Sequence, residues 1–133
     1  MAAELIGKKY VIVEVPEGVI KPEGTLPNQY EYRHLVHVLV QAFLQASAGK
    51  GKERHVFNDA PFREQQIFEI AEKVGIGFCT GQAVKKLYEQ HASREDKVRD
   101  LLGAMVYTSA AVIILQEEIE KEKEEKRHVI SSD

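Results

Sequence analysis

Cysteine is almost missing from this chain: Cys79 is the only one among 133 residues. No internal disulfide can form, and no patterned partner marks the thiol as a nucleophile, so it is expected as a small buried side chain near a helix start. A basic excess is missing too. Lys and Arg number 18 against 21 Asp and Glu, a formal charge of -3, which excludes coating nucleic acid through overall charge. Nothing at the N-terminus reads as a signal peptide, and with the lone cysteine this points to a soluble, reduced, cytoplasmic protein. Tryptophan, internal repeats and a Gly-x-Ser-x-Gly nucleophile elbow are likewise absent. The one low-complexity stretch is the charged C-terminal end.

What is present reads as a mainly α protein of about four helices, with a long C-terminal helix and a short N-terminal β arm or hairpin. Residues 1–27 form the arm. Residues 8–15 are rich in β-branched side chains and end at Pro16-Glu17-Gly18, a strand then a turn, and Val19-Ile20 can open a second short strand before Pro22 and Gly24. So short a hairpin needs support from a neighbour or a second copy. The helical domain covers residues 28–127, and residues 128–133 are expected to fray. A first helix starts at the Asn28/Glu31 capping pair, carries Leu35, Val38, Leu39, Ala42 and Phe43, and stops at Gly49. A second starts near Asp59 or Ala60, with Pro61 in its first turn, and ends at Gly75. A third runs from about Phe78 to His91.

The last helix opens at the Ser93/Asp96 pair and should continue to about Arg127, roughly 50 Å at 1.5 Å per residue. Residues 101–116 carry no charge. A membrane span needs ~20 apolar residues, and this run also contains Tyr107, Thr108 and Ser109, so a membrane role is rejected. A helix apolar on every side demands cover all round. Gly103, Ala104, Ala110 and Ala111 are small enough for another helix to approach closely, and a homo-oligomer, most simply a dimer, is predicted through residues 98–119. The mixed charges after Gln116 suit a solvated helix end.

The loop Gly49-Lys50-Gly51-Lys52-Glu53-Arg54-His55 is the strongest local chemical signal. Two glycines allow close backbone approach, and Lys50, Lys52, Arg54 and His55 supply donors for an anion. It lacks the Walker spacing and its strand–helix context, and a solvated helix stop explains it as well. Gly75, Gly77 and Gly81 precede Gln82, Lys85 and Lys86. A glycine-flanked helix start can present N–H groups to phosphate, although a tight turn between packed helices needs the same glycines. Glu69 and Glu72, spaced i and i+3, can share a magnesium ion, with Glu95, Asp96 and Asp100 as the candidates for a facing acidic pair, although a polar face on an amphipathic helix explains them as well. His34 and His37 have no third ligand at motif spacing, so no zinc site is expected.

Gly77-Phe78-Cys79-Thr80-Gly81-Gln82-Ala83-Val84-Lys85-Lys86 and Leu101-Leu102-Gly103-Ala104-Met105-Val106-Tyr107, following the Lys-Gly-x-Glu-Arg-His loop, resemble small tailed-bacteriophage proteins of unassigned function. The resemblance covers roughly residues 49–116. It implies an accessory protein in the cytoplasm of an infected bacterium. The helical pairs are also faintly similar to MazG-type nucleotide pyrophosphohydrolases. That similarity implies magnesium at Glu69 and Glu72, with Asp100 on a second helix, but Gly103 stands where its acidic pattern needs another carboxylate.

The favoured expectation is a non-catalytic oligomer, without cofactor, that binds a phosphorylated small molecule or nucleotide, such as a signal of host defence. Lys50, Lys52, Arg54 and His55 would hold phosphate, and Gln82, Lys85 and Lys86 would complete the pocket. The alternatives are a magnesium-dependent nucleoside triphosphate pyrophosphohydrolase and an inhibitor that captures a host protein through its arm.

Overall fold

The computed structural model describes residues 2–5, 8–11, 16–19, 31–48 and 60–131. Four α-helices dominate: α1 (Arg33–Ala48), α2 (Gln66–Val74), α3 (Gly77–Tyr88) and α4 (Arg94–Ser131), with a 3₁₀ turn at Phe62–Glu64 ahead of α2. Near the N-terminus the backbones of Ala2–Leu5 and Lys8–Val11 pair antiparallel, Leu5 opposite Lys8. At the expected turn, the Val19 N–H donates to the Pro16 carbonyl at 3.3 Å, with Gly18 at φ 89. Val19 itself is in no strand. The remainder of residues 1–27, Asn28 and the loop over residues 49–59 lie outside the described residues.

The helix boundaries depart from the sequence pattern at identifiable places. α1 starts at Arg33 rather than Asn28: Glu31 and Tyr32 form a turn, and the Tyr32 carbonyl accepts the Val36 N–H at 3.0 Å. The expected second helix is split. Gln65 adopts an extended backbone (ψ 164) and its side-chain amide donates to the Ala60 carbonyl at 3.2 Å. The break turns Phe62 edge-on to Phe68, with ring centroids 5.2 Å apart. Gly75 ends α2 as expected, at φ 96, its N–H bonded to the Ala71 carbonyl at 2.7 Å.

α3 stops at Tyr88, three residues short of His91, without a glycine or proline to stop it. The Lys97 ammonium, reaching back from α4, donates to the carbonyls of Leu87 at 2.7 Å, Glu89 at 2.8 Å and Lys86 at 3.4 Å. A cation on the last carbonyls is where the helix dipole favours one. α4 begins at its predicted cap, with the Asp96 N–H on Ser93 Oγ at 3.1 Å. It does not fray at His128 but continues to Ser131, giving 38 residues and about 57 Å. Strong helix formers fill residues 117–127, and no glycine or proline follows to end them.

The core lies where α2 and α3 meet α4. Ile67, Phe68 and Ala71 pack with Cys79 and Ala83 against Ala104, Tyr107, Ala110 and Ala111. The small residues of α4 therefore serve the chain's own α3, and at Gly103 an added Cβ would stand 3.0 Å from Lys86 Cδ. Cys79 is fully buried, and burial pushes its thiol pKa up, so the thiol is a packing group. Elsewhere apolar surface stays open. On α1 only Ala42 is buried, while Leu35, Leu39, Phe43 and Leu44 are exposed. α4 is long and apolar enough by composition to cross a membrane, with a third of its most apolar window covered. Its uncharged run between Asp100 and Glu117 nevertheless falls short of the ~20 residues a span requires.

Candidate functional site

A pocket of about 280 Å³ opens where four segments converge. Gln45 and Ala46 come from the end of α1, Phe62 and Gln65 from the split before α2, Lys86 and His91 from the end of α3 and just beyond it, and Asp96, Arg99, Asp100, Gly103 and Tyr107 from α4. Gln45 ties α1 to this corner by donating to the Arg99 carbonyl at 2.9 Å. The Lys86 stem lies over Gly103, and its ammonium sits 5.9 Å from the Tyr107 ring centroid.

Asp100 is the electrostatic centre. It is buried, it hydrogen-bonds His91 Nε2, and its other oxygen is 3.9 Å from Lys86 Nζ. Burial pushes its pKa up, but the His91 hydrogen bond, the His91 and Lys86 charges and a hydrogen bond with Glu89 together outweigh that, so the carboxyl stays below its ordinary value. Arg99 pairs with Asp96 at 3.1 Å. The two cations Lys86 and Arg99 thus face two carboxylates, and the described walls are close to charge balance.

Of the ligand residues predicted from sequence, Lys86 lines this pocket. Gln82 and Lys85 lie on the same helix but not in the lining, and Lys50, Lys52, Arg54 and His55 fall outside the described residues. The acidic trio is not brought together. Glu72 shares Arg63 with Glu117, at 3.2 Å and 2.8 Å, and Glu69 pairs with Lys73 at 3.8 Å. Glu117 and Asp100 are separated by about 25 Å along α4. Arg63 also stacks on Phe68, 4.6 Å from its centroid, and the Arg63 ion pair holds the Glu117 carboxyl below its ordinary range. This cluster reads as a brace between α2 and α4.

Sequence reasoning missed His91, Gln45, Gln65 and Arg99 as pocket residues. None has a motif-like spacing to Lys86: Gln45, Gln65 and Arg99 come from other segments, and His91 lies beyond the end of α3. A different acidic set does converge: donor atoms of Glu89, His91 and Asp100 lie within 4.8 Å of one another, a combination suited to a divalent cation. Lys86 already stands beside the same Asp100 carboxylate, so a fixed cation occupies part of that role.

Comparison with known proteins finds no matching family model, no similar curated protein and no similar solved structure.

Proposed function

We propose that this chain is a non-catalytic binder of a phosphorylated small molecule, with a nucleotide as the preferred class, working as a homo-oligomer. One observation carries the proposal: the described residues on either side of the basic loop stand at one pocket, Ala46 in its wall and Ala60 one hydrogen bond from it. Ala46 lines the pocket two residues before α1 ends, and the described chain resumes at Ala60, whose carbonyl is held by the pocket-lining Gln65. The chain before and after residues 49–59 therefore runs to the place where Lys86 enters.

Charge balance supports the same division of labour. Lys86 and Arg99 are offset by Asp100 and Asp96, so an anion needs further positive charge, and Lys50, Lys52 and Arg54 supply it. Charge-assisted hydrogen bonds from Lys and Arg to phosphate are roughly twice as strong as neutral ones. Gln45, Gln65 and Tyr107 offer the neutral contacts that orient the rest of a ligand. Gln82 and Lys85 contribute across a subunit boundary. No magnesium is required for such binding, and the carboxylates of the hydrolase alternative are engaged apart from one another, Glu69 by Lys73 and Glu72 by Arg63 on the α2 side, Asp100 by His91 and Lys86 on α4. With the phage resemblance, the reading becomes an accessory protein that sequesters a nucleotide signal of host defence in the bacterial cytoplasm. The N-terminal arm, as a β element docked on a neighbour or a second copy, belongs to assembly rather than to ligand chemistry.

Isothermal calorimetry against linear and cyclic nucleotides tests this. Binding in the micromolar range is expected, and Lys86→Met should weaken it about tenfold or more, since a hydrogen bond to a charged group contributes ~1.5–3 kcal/mol. Removing Lys50, Lys52 and Arg54 together should abolish it. Affinity no tighter than millimolar for every nucleotide would overturn the proposal, as would magnesium-dependent pyrophosphate release lost on Glu72→Gln.

A further inference from the structure

We infer that α4 carries a heptad-spaced apolar seam through which two copies of the chain pair as a parallel, in-register coiled coil. This deepens the oligomer part of the reading above and is independent of the ligand. The face of α4 turned to its own core holds Asp100, Gly103, Ala104, Tyr107, Ala110 and Ala111. On the outward face beside it, with Ala104 and Ala111 along the border, stand Val98, Leu101, Met105, Thr108, Val112, Leu115 and Ile119, separated by alternating steps of three and four residues. None of these is buried, and Val98, Leu101, Val112, Leu115 and Ile119 are each between 41 and 51 % exposed. A strict 3–4 alternation over three heptads is the pattern that keeps one seam facing a partner helix along a left-handed supercoil.

The residue types commit the seam to a second copy of the same helix. Val98, Val112 and Ile119 fall at a positions, with Met105 the exception, and Leu101 and Leu115 fall at d. β-branched a with leucine d favours two parallel strands. Thr108 is the polar member, but its hydroxyl already donates to the Ala104 carbonyl at 2.8 Å, so covering it leaves no unpaired donor. The flanking charges choose the direction. In a parallel pair Glu118, at g, meets Lys123 of the second copy, at e, twice by symmetry; within the chain Lys123 makes only an exposed i,i+3 pair with Glu120 at 3.5 Å, which is easily exchanged. In an antiparallel pair Glu118 would need Lys97, whose ammonium is engaged on three carbonyls at the end of α3. The seam is also continuous with an apolar groove between α1 and α4, where Leu39 and Phe43 face Met105 and Ser109. Two copies joined along α4 would extend their contact onto those α1 side chains. A bilayer explains neither the alternation nor the charges that bracket the run.

Sedimentation velocity on the full chain should give a species of about 30 kDa, twice the 15.0 kDa of one copy. Val112→Glu should weaken pairing at least a hundredfold while circular dichroism shows the helices retained, and the milder Leu115→Ala should weaken it about tenfold. Under oxidation Val112→Cys should crosslink to its own copy, with the unsubstituted chain, whose Cys79 is buried, as the control. A monomer at all accessible concentrations, or recovery only with lipid vesicles, would overturn both the seam and the oligomer. A dimer indifferent to Val112→Glu and Leu115→Ala would overturn the seam alone. A crosslink that forms only between Val112→Cys and Leu101→Cys chains, the a and d positions that meet in the antiparallel register, would overturn the parallel direction. Lys86→Met leaves the dimer intact whatever it does to nucleotide binding, which separates failure of this pairing from failure of the pocket.

Discussion

A single carboxylate, Asp100, joins the chain's packing to its chemistry. It is buried at the start of α4, yet hydrogen-bonded to His91 and close to Lys86, so it remains the stronger acid in the folded chain. Because its folded pKa lies below the unfolded value of about 3.9, its contribution to stability is fully present above that pH and is lost as pH falls through the lower folded value. Asp100→Asn should therefore lower stability at neutral pH by roughly 1–3 kcal/mol, the scale for removing one partner of a largely buried polar contact. Thermal melts of both chains between pH 7 and pH 3 check this: the gap should narrow on acidification, and a constant gap would mean that charge is not what Asp100 contributes. Little of this was legible beforehand. Asp100 stood out as an acidic residue, but the expected partners were Glu69 and Glu72, which instead pair with Lys73 and Arg63. His91 appeared as an isolated histidine because its tie to Asp100 depends on where α3 ends.

At the scale of elements, the sequence was legible where local chemistry alone sets a boundary. Ser93 caps α4 and Gly75 terminates α2, because a short side-chain acceptor and a positive φ are local requirements. It was illegible where a boundary is imposed from elsewhere in the fold. α3 ends on Lys97, eleven residues after Lys86 along the chain, and no propensity scale contains that contact. The split at Gln65 likewise depends on an amide reaching the Ala60 carbonyl and on Phe62 meeting Phe68. Lys97→Met keeps much of the apolar stem and removes the ammonium, so it isolates the cap. The expected cost is about 1 kcal/mol, below the ~1.5–3 kcal/mol of a bond to a charged group because the carbonyl sites are largely solvated. Hydrogen exchange should show faster opening in the last turn of α3 while the Phe68 and Tyr107 region stays protected. Unchanged exchange near Tyr88 would mean that the helix ends there for another reason.

For the molecule as a whole, the composition of α4 calls for cover but does not say how the faces divide; a third of its most apolar window is covered within the chain. Apolar residues on all sides leave open which stripe faces inward. The answer came from size: Gly103, Ala104, Ala110 and Ala111 let α3 come close, which leaves the larger Val112, Leu115 and Ile119 outward. In the pairing proposed above, the outward Val112, Leu115 and Ile119 of α4 couple the folded state to dimerisation. Folding linked to dimerisation obeys mass action, and each tenfold rise in concentration favours the paired state by about 1.4 kcal/mol. The melting temperature should therefore climb by several degrees between micromolar and hundreds-of-micromolar chain, since about 1 kcal/mol moves the midpoint of a domain this size by ~2–8 °C. Val112→Glu should melt lower and at a temperature independent of concentration, because its fold no longer draws on the seam. A wild-type midpoint equally independent of concentration would show that the helical body holds itself together unaided, and that the outward stripe contributes nothing to its stability.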